Sequence, residues 1–210
     1  MATFLFDEII FGPVRSRRLG ISLGINLLPV DKKYCNFDCI YCECGWTCRG
    51  KVRKEDLPTR QEVREALEKK IRQMASDGIS PDVITYAGNG EPTLHPHFPE
   101  IVEDSLDIRN RLCPRARIAV LSNATMLHKD TVLQALRKTD QPILKLDTTR
   151  ETTYQLINKP LTGKSVETII GELKTFGPGL ILQTLFFRGT YEEREIDNTS
   201  EKELGPLLET

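Results

Sequence analysis

Short apolar runs alternate along this chain with longer stretches in which apolar residues return every three or four positions. That rhythm predicts strands joined by helices, the mark of an α/β fold with a parallel sheet. The first strand is expected at 24–30, running directly into a cysteine-rich loop. Thr59 and Glu62 have the spacing of a capping box. The helix they open carries Val63, Leu67, Ile71 and Met74 on one face, and Gly78 is placed to cap its end. Further strands are expected at 83–87, 117–121, 143–147 and 180–187. Helices are expected near 97–111, 129–138, 150–158 and 165–176, and from Ser200, where Glu203 suggests a second capping box. No linker or low-complexity stretch divides the chain, so residues 1–210 read as one domain.

Composition fits this picture. Apolar residues make up 39% and charged residues 28%, values ordinary for a folded globular domain. No run approaches the roughly 18–20 apolar residues of a membrane span. The opening Met1–Glu8 stretch lacks the basic start and apolar core of a signal peptide. A cytoplasmic location is expected, where thiols stay reduced and clustered cysteines bind metal more often than they pair. The 29 basic and 30 acidic side chains leave a net charge of −1, without the basic excess of a protein that grips RNA over a broad surface.

The candidate chemistry lies in the cysteines. Five of the six fall between positions 35 and 48, and three of them read Cys35-Asn-Phe-Asp-Cys39-Ile-Tyr-Cys42. An iron–sulfur cluster that only carries electrons is held by four cysteines. Three leave one iron open, as catalytic metal sites keep an open position. A zinc site made of Cys39, Cys42, Cys44 and Cys48 is the competing reading, and Cys113 reads as a packing residue. Trp46 either covers the cluster or simply packs.

The C-x3-C-x2-C run, with Tyr41 just before its last cysteine, resembles the cluster loop of the radical S-adenosylmethionine enzymes. Gly88-Asn89-Gly90-Glu91-Pro92 looks like that family's Gly-Gly-Glu-Pro motif, with Asn89 at the second glycine. Leu121-Ser122-Asn123 looks like the strand end that bonds the cofactor's ribose or carboxylate. Segments 11–20, 144–147 and 183–189, with Asp197-Asn198, resemble a subgroup related to the enzymes that form the wyosine base in transfer RNA.

The resemblance implies a partial (β/α) barrel with a [4Fe–4S] cluster on Cys35, Cys39 and Cys42. It also implies S-adenosylmethionine held by Gly88, Asn89, Gly90 and Glu91, with Ser122, Asn123, Asp147 and Tyr41 contributing. In that family the reduced cluster cleaves the cofactor to a 5′-deoxyadenosyl radical. A one-electron donor such as flavodoxin or ferredoxin is then required, and a modified nucleoside in RNA is the expected substrate, with transfer RNA a candidate partner that the net charge does not support. An activase for a glycyl-radical enzyme shares the same core motifs. The family usually builds six βα units, so a chain cut short of the last one is expected.

Four smaller readings complete the set. Ser122 and Asn123 also suit a helix cap. Lys145 and Asp147 suit an ion pair. Arg15, Arg17 and Arg18 suit either a solvated turn or an anion site, and His95 and His97 suit structural roles.

Overall fold

The protein is described by a computed structural model covering residues 4–209. Met1–Thr3 and Thr210 lie outside the described residues, and with them the first part of the stretch weighed above as a signal peptide. One sheet organises the molecule. Its strands are β1 (Ile10–Ser16), β2 (Gly20–Ile25), β3 (Val83–Tyr86), β4 (Arg117–Ser122), β5 (Gln141–Lys145) and β6 (Ile181–Gln183), hydrogen-bonded in that spatial order. Strands β2 to β6 run parallel, and β1 pairs antiparallel with β2. Connecting helices are α1 (Arg60–Ser76), α2 (Phe98–Leu112), α3 (Asp130–Arg137), α4 (Glu151–Ile157) and α5 (Val166–Phe176). A two-stranded antiparallel hairpin, β7 (Arg188–Tyr191) and β8 (Arg194–Asp197), precedes α6 (Glu201–Leu208). The sheet stays open rather than closing into a barrel.

Alternation along the strands divides the core. Ile84, Tyr86, Ile118, Val120 and Leu144 point to the helix-covered face, while Val83, Ala119 and Ile143 form a small cluster on the other. Helix α1 buries Val63, Leu67, Ile71 and Met74, as its periodicity predicts. The Thr59–Glu62 capping box forms. At the other end Gly78 takes φ 71°, its N–H bonds Ala75 O at 3.1 Å, and the Ile79 N–H bonds Met74 O at 2.8 Å, a Schellman closure.

Four expectations change. The strand expected at 24–30 is Gly20–Ile25 instead, because the Asn26 side chain bonds both the N–H and the carbonyl of Leu28 and turns the chain out of the sheet. The strand expected at 180–187 stops at Gln183. Beyond it, Thr184 bonds Leu146 O, Leu185 N bonds Asp147 Oδ1 and Phe187 N bonds Asn198 Oδ1, so side chains and a single carbonyl replace the ladder. The second capping box does not form: Ser200 Oγ donates to Asp197 O, and the Glu203 carboxylate accepts instead from Thr148 and Thr153. Arg15 lies in β1 next to its last residue, Ser16, while Arg17 and Arg18 sit in the turn leading into β2. This places them at the end of the sheet opposite the cysteines and removes them from any site shared with those residues.

Candidate active site

In open parallel sheets ligands gather beyond the carboxyl ends of the strands. Here the segments leaving β2, β3, β4, β5 and β6 meet around one cavity of about 300 Å³. The loop after β2 supplies Lys33, Cys35, Cys39, Tyr41, Cys42 and Cys44, the loop after β3 supplies Gly88, Gly90 and Glu91, and the end of β4 supplies Ser122 and Asn123. Lys145 and Gln183 come from the ends of β5 and β6.

The cysteine loop is stitched to its neighbour through backbone. Tyr34 N bonds Asn89 O at 2.8 Å and Glu91 N bonds Tyr34 O at 3.1 Å, a bridge with Gly90 at its centre. Gly90 has φ 140°, and a Cβ there would overlap the Tyr34 carbonyl oxygen. Only glycine lets these two loops close on each other.

The sulfur atoms receive N–H donors. Cys35 Sγ accepts from Phe37 N at 3.4 Å and from Asn123 Nδ2 at 3.6 Å, and Cys39 Sγ accepts from Asn158 Nδ2 at 3.5 Å. Burial pushes the Cys35 thiol up to about 12, with the Glu91 carboxylate adding to the effect. Lys33 stands among these sulfurs with its side chain 2% exposed, bonded to Gly45 O at 3.0 Å and 3.6 Å from Asp38. Burial works against its charge, but Cys35, Cys42, Cys39 and Asp38 together raise its pKa. Cys42 is drawn down, chiefly by its hydrogen bond from Cys44, whose own thiol is pushed up by the same contact. Sequence reasoning missed Lys33. The only signal was a basic residue two positions before the first cysteine.

Glu91 ties two strand ends together. Its Oε1 accepts from Thr93 N at 3.1 Å, Thr93 Oγ1 at 2.5 Å and Ser122 Oγ at 2.8 Å, and its Oε2 accepts from Asn123 N at 2.7 Å. Burial nevertheless outweighs these donors and raises the Glu91 pKa above the ordinary carboxylate value. A carboxyl raised on folding stabilises most at pH below its unfolded value, and the contribution fades as pH climbs through the folded one. The stability difference between the native chain and Glu91→Gln is therefore expected to shift against the native chain as pH rises from about 4.5 towards neutrality. Urea midpoints of the two proteins across that range check this, and a constant difference would refute it.

Two expected contacts face elsewhere. The Asn89 side chain is buried between Phe6 and Pro29, bonding Phe6 N and O and Pro29 O at 2.8 Å each. The Asp147 carboxylate is fully buried behind the cavity wall. It accepts from Tyr41 Oη, from Asn158 Nδ2 at 2.7 Å and from Leu185 N at 2.9 Å, and it pairs with Lys145 at 3.4 Å. Asp147 thus positions Tyr41, whose ring lies beneath Lys145 Nζ at 4.8 Å. Burial, Cys39 and Asp147 all push the Tyr41 hydroxyl upward, so it stays a donor. His95 bonds Pro58 O and His97 N, a structural role. Cys113 is buried in the core, and Cys48 lies outside the cavity wall. Among the described residues no group of three or more His, Cys, Asp or Glu side chains stands close enough to hold a single ion. The three thiols surround a space instead.

The radical SAM superfamily model matches residues 32–198. The chain belongs to the radical SAM superfamily. The family uses a [4Fe–4S] cluster and S-adenosylmethionine, and the open, mostly parallel sheet has the architecture of its partial barrel. A UPF0026 protein of Methanocaldococcus jannaschii is 31% identical over 205 residues, covering 94% of this chain and 61% of that protein. The chain spans about three-fifths of the length of the UPF0026 relatives that it matches. Among solved structures, TYW1 with a lysine-pyruvate adduct superposes with a TM-score of 0.53 at 17% identity, over 80% of this chain and 56% of that one. A tagged form of anSMEcpe with bound AdoMet gives 0.53 at 16%, over 78% and 43%. At these identities the likeness is one of fold. Among the described residues no helix is long and apolar enough to cross a membrane.

Proposed function

We propose that this chain is a radical S-adenosylmethionine enzyme in which Cys35, Cys39 and Cys42 hold a [4Fe–4S] cluster. One observation carries the reading: three thiols from a single loop share a cavity with Gly88, Gly90, Glu91, Ser122 and Asn123, delivered by two other strand ends. The donor set fits an anionic iron–sulfur group. The Cys35 and Cys39 sulfurs already accept N–H bonds, and a buried ammonium stands among the three sulfurs.

When bound, the cluster supplies the electron that cleaves the sulfonium of S-adenosylmethionine. The chain's own residues do the rest. Lys33 offsets the negative charge of the ligated thiolates. Gly88 and Gly90 let their loop pack against Asn26 and Tyr34 so that its backbone lines the cavity, Glu91 fixes Ser122 and Asn123 at the rim, and Phe37, Ala87 and Leu121 wall the cavity with apolar surface. Asp147 and Asn158 anchor Tyr41, and with it the cysteine loop, to the segments after β5 and α4. The electron comes from an external one-electron donor of the flavodoxin or ferredoxin type.

As substrate class we infer a modified base in RNA. The resemblance of segments 144–147 and 183–189 to the wyosine-forming subgroup supports this, as do Lys145 and Gln183 at the cavity wall and Phe186, half exposed beyond β6.

The test is anaerobic reconstitution with iron and sulfide, then reduction and EPR with and without S-adenosylmethionine. A cluster signal that changes with the cofactor, accompanied by 5′-deoxyadenosine and methionine, is the expected result. A protein without a cluster, or a signal indifferent to the cofactor, overturns the proposal.

A further inference from the structure

Immediately after the cysteine loop the chain reads Trp46-Thr-Cys-Arg49-Gly-Lys51-Val-Arg53-Lys54, with four cations and no acid in nine residues. In a chain of net charge −1 this is a local excess. All four cations are exposed. Arg53 pairs with Asp56, whereas Arg49 and Lys51 have no ion-pair partner among the described residues. Trp46, the only tryptophan, is 56% exposed beside them, its ring 5.2 Å from Lys159 Nζ.

The root of this strip is bolted to the cluster loop. Thr47 N bonds Asp38 Oδ1 at 2.6 Å and Thr47 Oγ1 bonds Phe37 O at 3.1 Å, both on the segment between Cys35 and Cys39. Cys48 N bonds Lys33 O at 3.0 Å. The strip is therefore the outer side of the same loop whose inner side carries the three thiols. Apart from these sulfurs, no second redox centre is evident in the sequence.

We propose that Trp46, Arg49, Lys51 and Lys54 form the docking face for an acidic one-electron carrier protein, which delivers its electron through the outer wall of the cysteine loop. The inference rests on the function proposed above. Charge complementarity selects the occupant: an unpaired positive strip steers an acidic partner and raises its association rate. With a flavodoxin as donor, the anionic flavin hydroquinone becomes the neutral semiquinone and [4Fe–4S]²⁺ becomes [4Fe–4S]⁺. One electron moves, and no bond forms or breaks.

The experiment compares the reconstituted native protein with the double variant Arg49→Glu/Lys51→Glu. A control, Arg17→Glu/Arg18→Glu, makes the same change in net charge at the opposite end of the sheet. Stopped-flow reduction by an acidic flavodoxin hydroquinone is followed beside reduction by dithionite, and binding of the flavodoxin is read from Trp46 emission. The expected result is a fall of about tenfold or more in flavodoxin-driven rate and in affinity for the double variant only. Dithionite reduction should be unchanged in all three. The native flavodoxin rate should also drop steeply towards 1 M salt, where the Debye length is about 3 Å. Equal flavodoxin rates in native protein and double variant overturn the docking face. So does a variant that loses quenching of Trp46 by an oligoribonucleotide but keeps its flavodoxin rate, since the strip would then be an RNA contact. Failure of dithionite to reduce any cluster would sink the proposed function itself, and the docking face with it.

Discussion

Cys39→Ala is expected to abolish cluster binding, whereas Cys48→Ala and Cys113→Ala keep it. The contrast follows from placement. Cys35, Cys39 and Cys42 line one cavity, while Cys48 lies outside its wall and Cys113 is packed in the core at the end of α2. Removing one of three ligands leaves two thiolates for four irons, and nothing at the Cys39 position can take over. Asn158 there offers only an N–H. Cys44 shares the cavity and is the one thiol that could compensate. Its Sγ is engaged with Cys42 and with Gly88 O, 3.6 Å away, on the β3 side rather than beside Asn158. Iron and sulfide content after anaerobic reconstitution is the measurement. The native, Cys48→Ala and Cys113→Ala proteins should each hold about four irons, and Cys39→Ala close to none. Wild-type iron content in Cys39→Ala, or its loss in Cys48→Ala, would point to a different ligand set. The zinc arrangement of Cys39, Cys42, Cys44 and Cys48 predicts instead about one zinc and no iron in the native protein, with the zinc lost in both Cys39→Ala and Cys48→Ala.

The parts of this architecture that were legible in the sequence are those written as periodicity. Val63, Leu67, Ile71 and Met74 announce a helix face because burial repeats at the helical step, and Thr59, Glu62 and Gly78 bracket it by chain-local hydrogen bonding. The ends of β3, β4 and β5 were legible to within two residues for the same reason, and with them the meeting of cysteines, glycines and Ser122–Asn123 at one rim. The hairpins were not. In β1 the sequence Ile-Phe-Gly-Pro-Val-Arg-Ser is buried only at Ile10 and has no alternation to read, and β7 and β8 bury little beyond Ile196.

Side-chain direction was also hidden. Asn89 and Asp147 stand where cofactor contacts were expected, yet each turns towards unpaired backbone groups brought near from far along the chain, at Phe6 and Pro29 and at Leu185. A buried polar group goes to the donors and acceptors that otherwise lack partners. Those partners are fixed by tertiary structure, which no local pattern records. Lys33 was missed for the matching reason: its meaning comes from three sulfurs that the loop folds around it.

Gly90→Ala is expected to damage both the fold and the site, and more severely than any other single methyl addition near the cavity. Two costs combine. At φ 140° an L-residue occupies a sparsely populated conformation, on the order of 1–3 kcal/mol. The new Cβ also overlaps the Tyr34 carbonyl, lying 2.5 Å from its carbon, and overpacking of this kind costs about 1–3 kcal/mol more. The obstacle is backbone, so no rotamer change relieves it. Relief requires the cysteine loop to separate from the Gly88–Glu91 loop, breaking the Tyr34–Asn89 and Tyr34–Glu91 hydrogen bonds. Tyr34 is the neighbour of Cys35, and Glu91 carries Ser122 and Asn123, so the displacement reaches the proposed cluster ligands and the cofactor rim together. Gly88→Ala is the milder comparison: its Cβ meets the Asn26 side chain, which can move, although Asn26 would lose bonds to Leu28 and Asn89. Urea unfolding should show a loss of roughly 2–6 kcal/mol for Gly90→Ala. Its reconstituted cluster should also show a much weaker EPR response to S-adenosylmethionine. A native midpoint with a native response would mean that the two loops do not need their close approach, and the geometry assigned to the cofactor rim would fall with it.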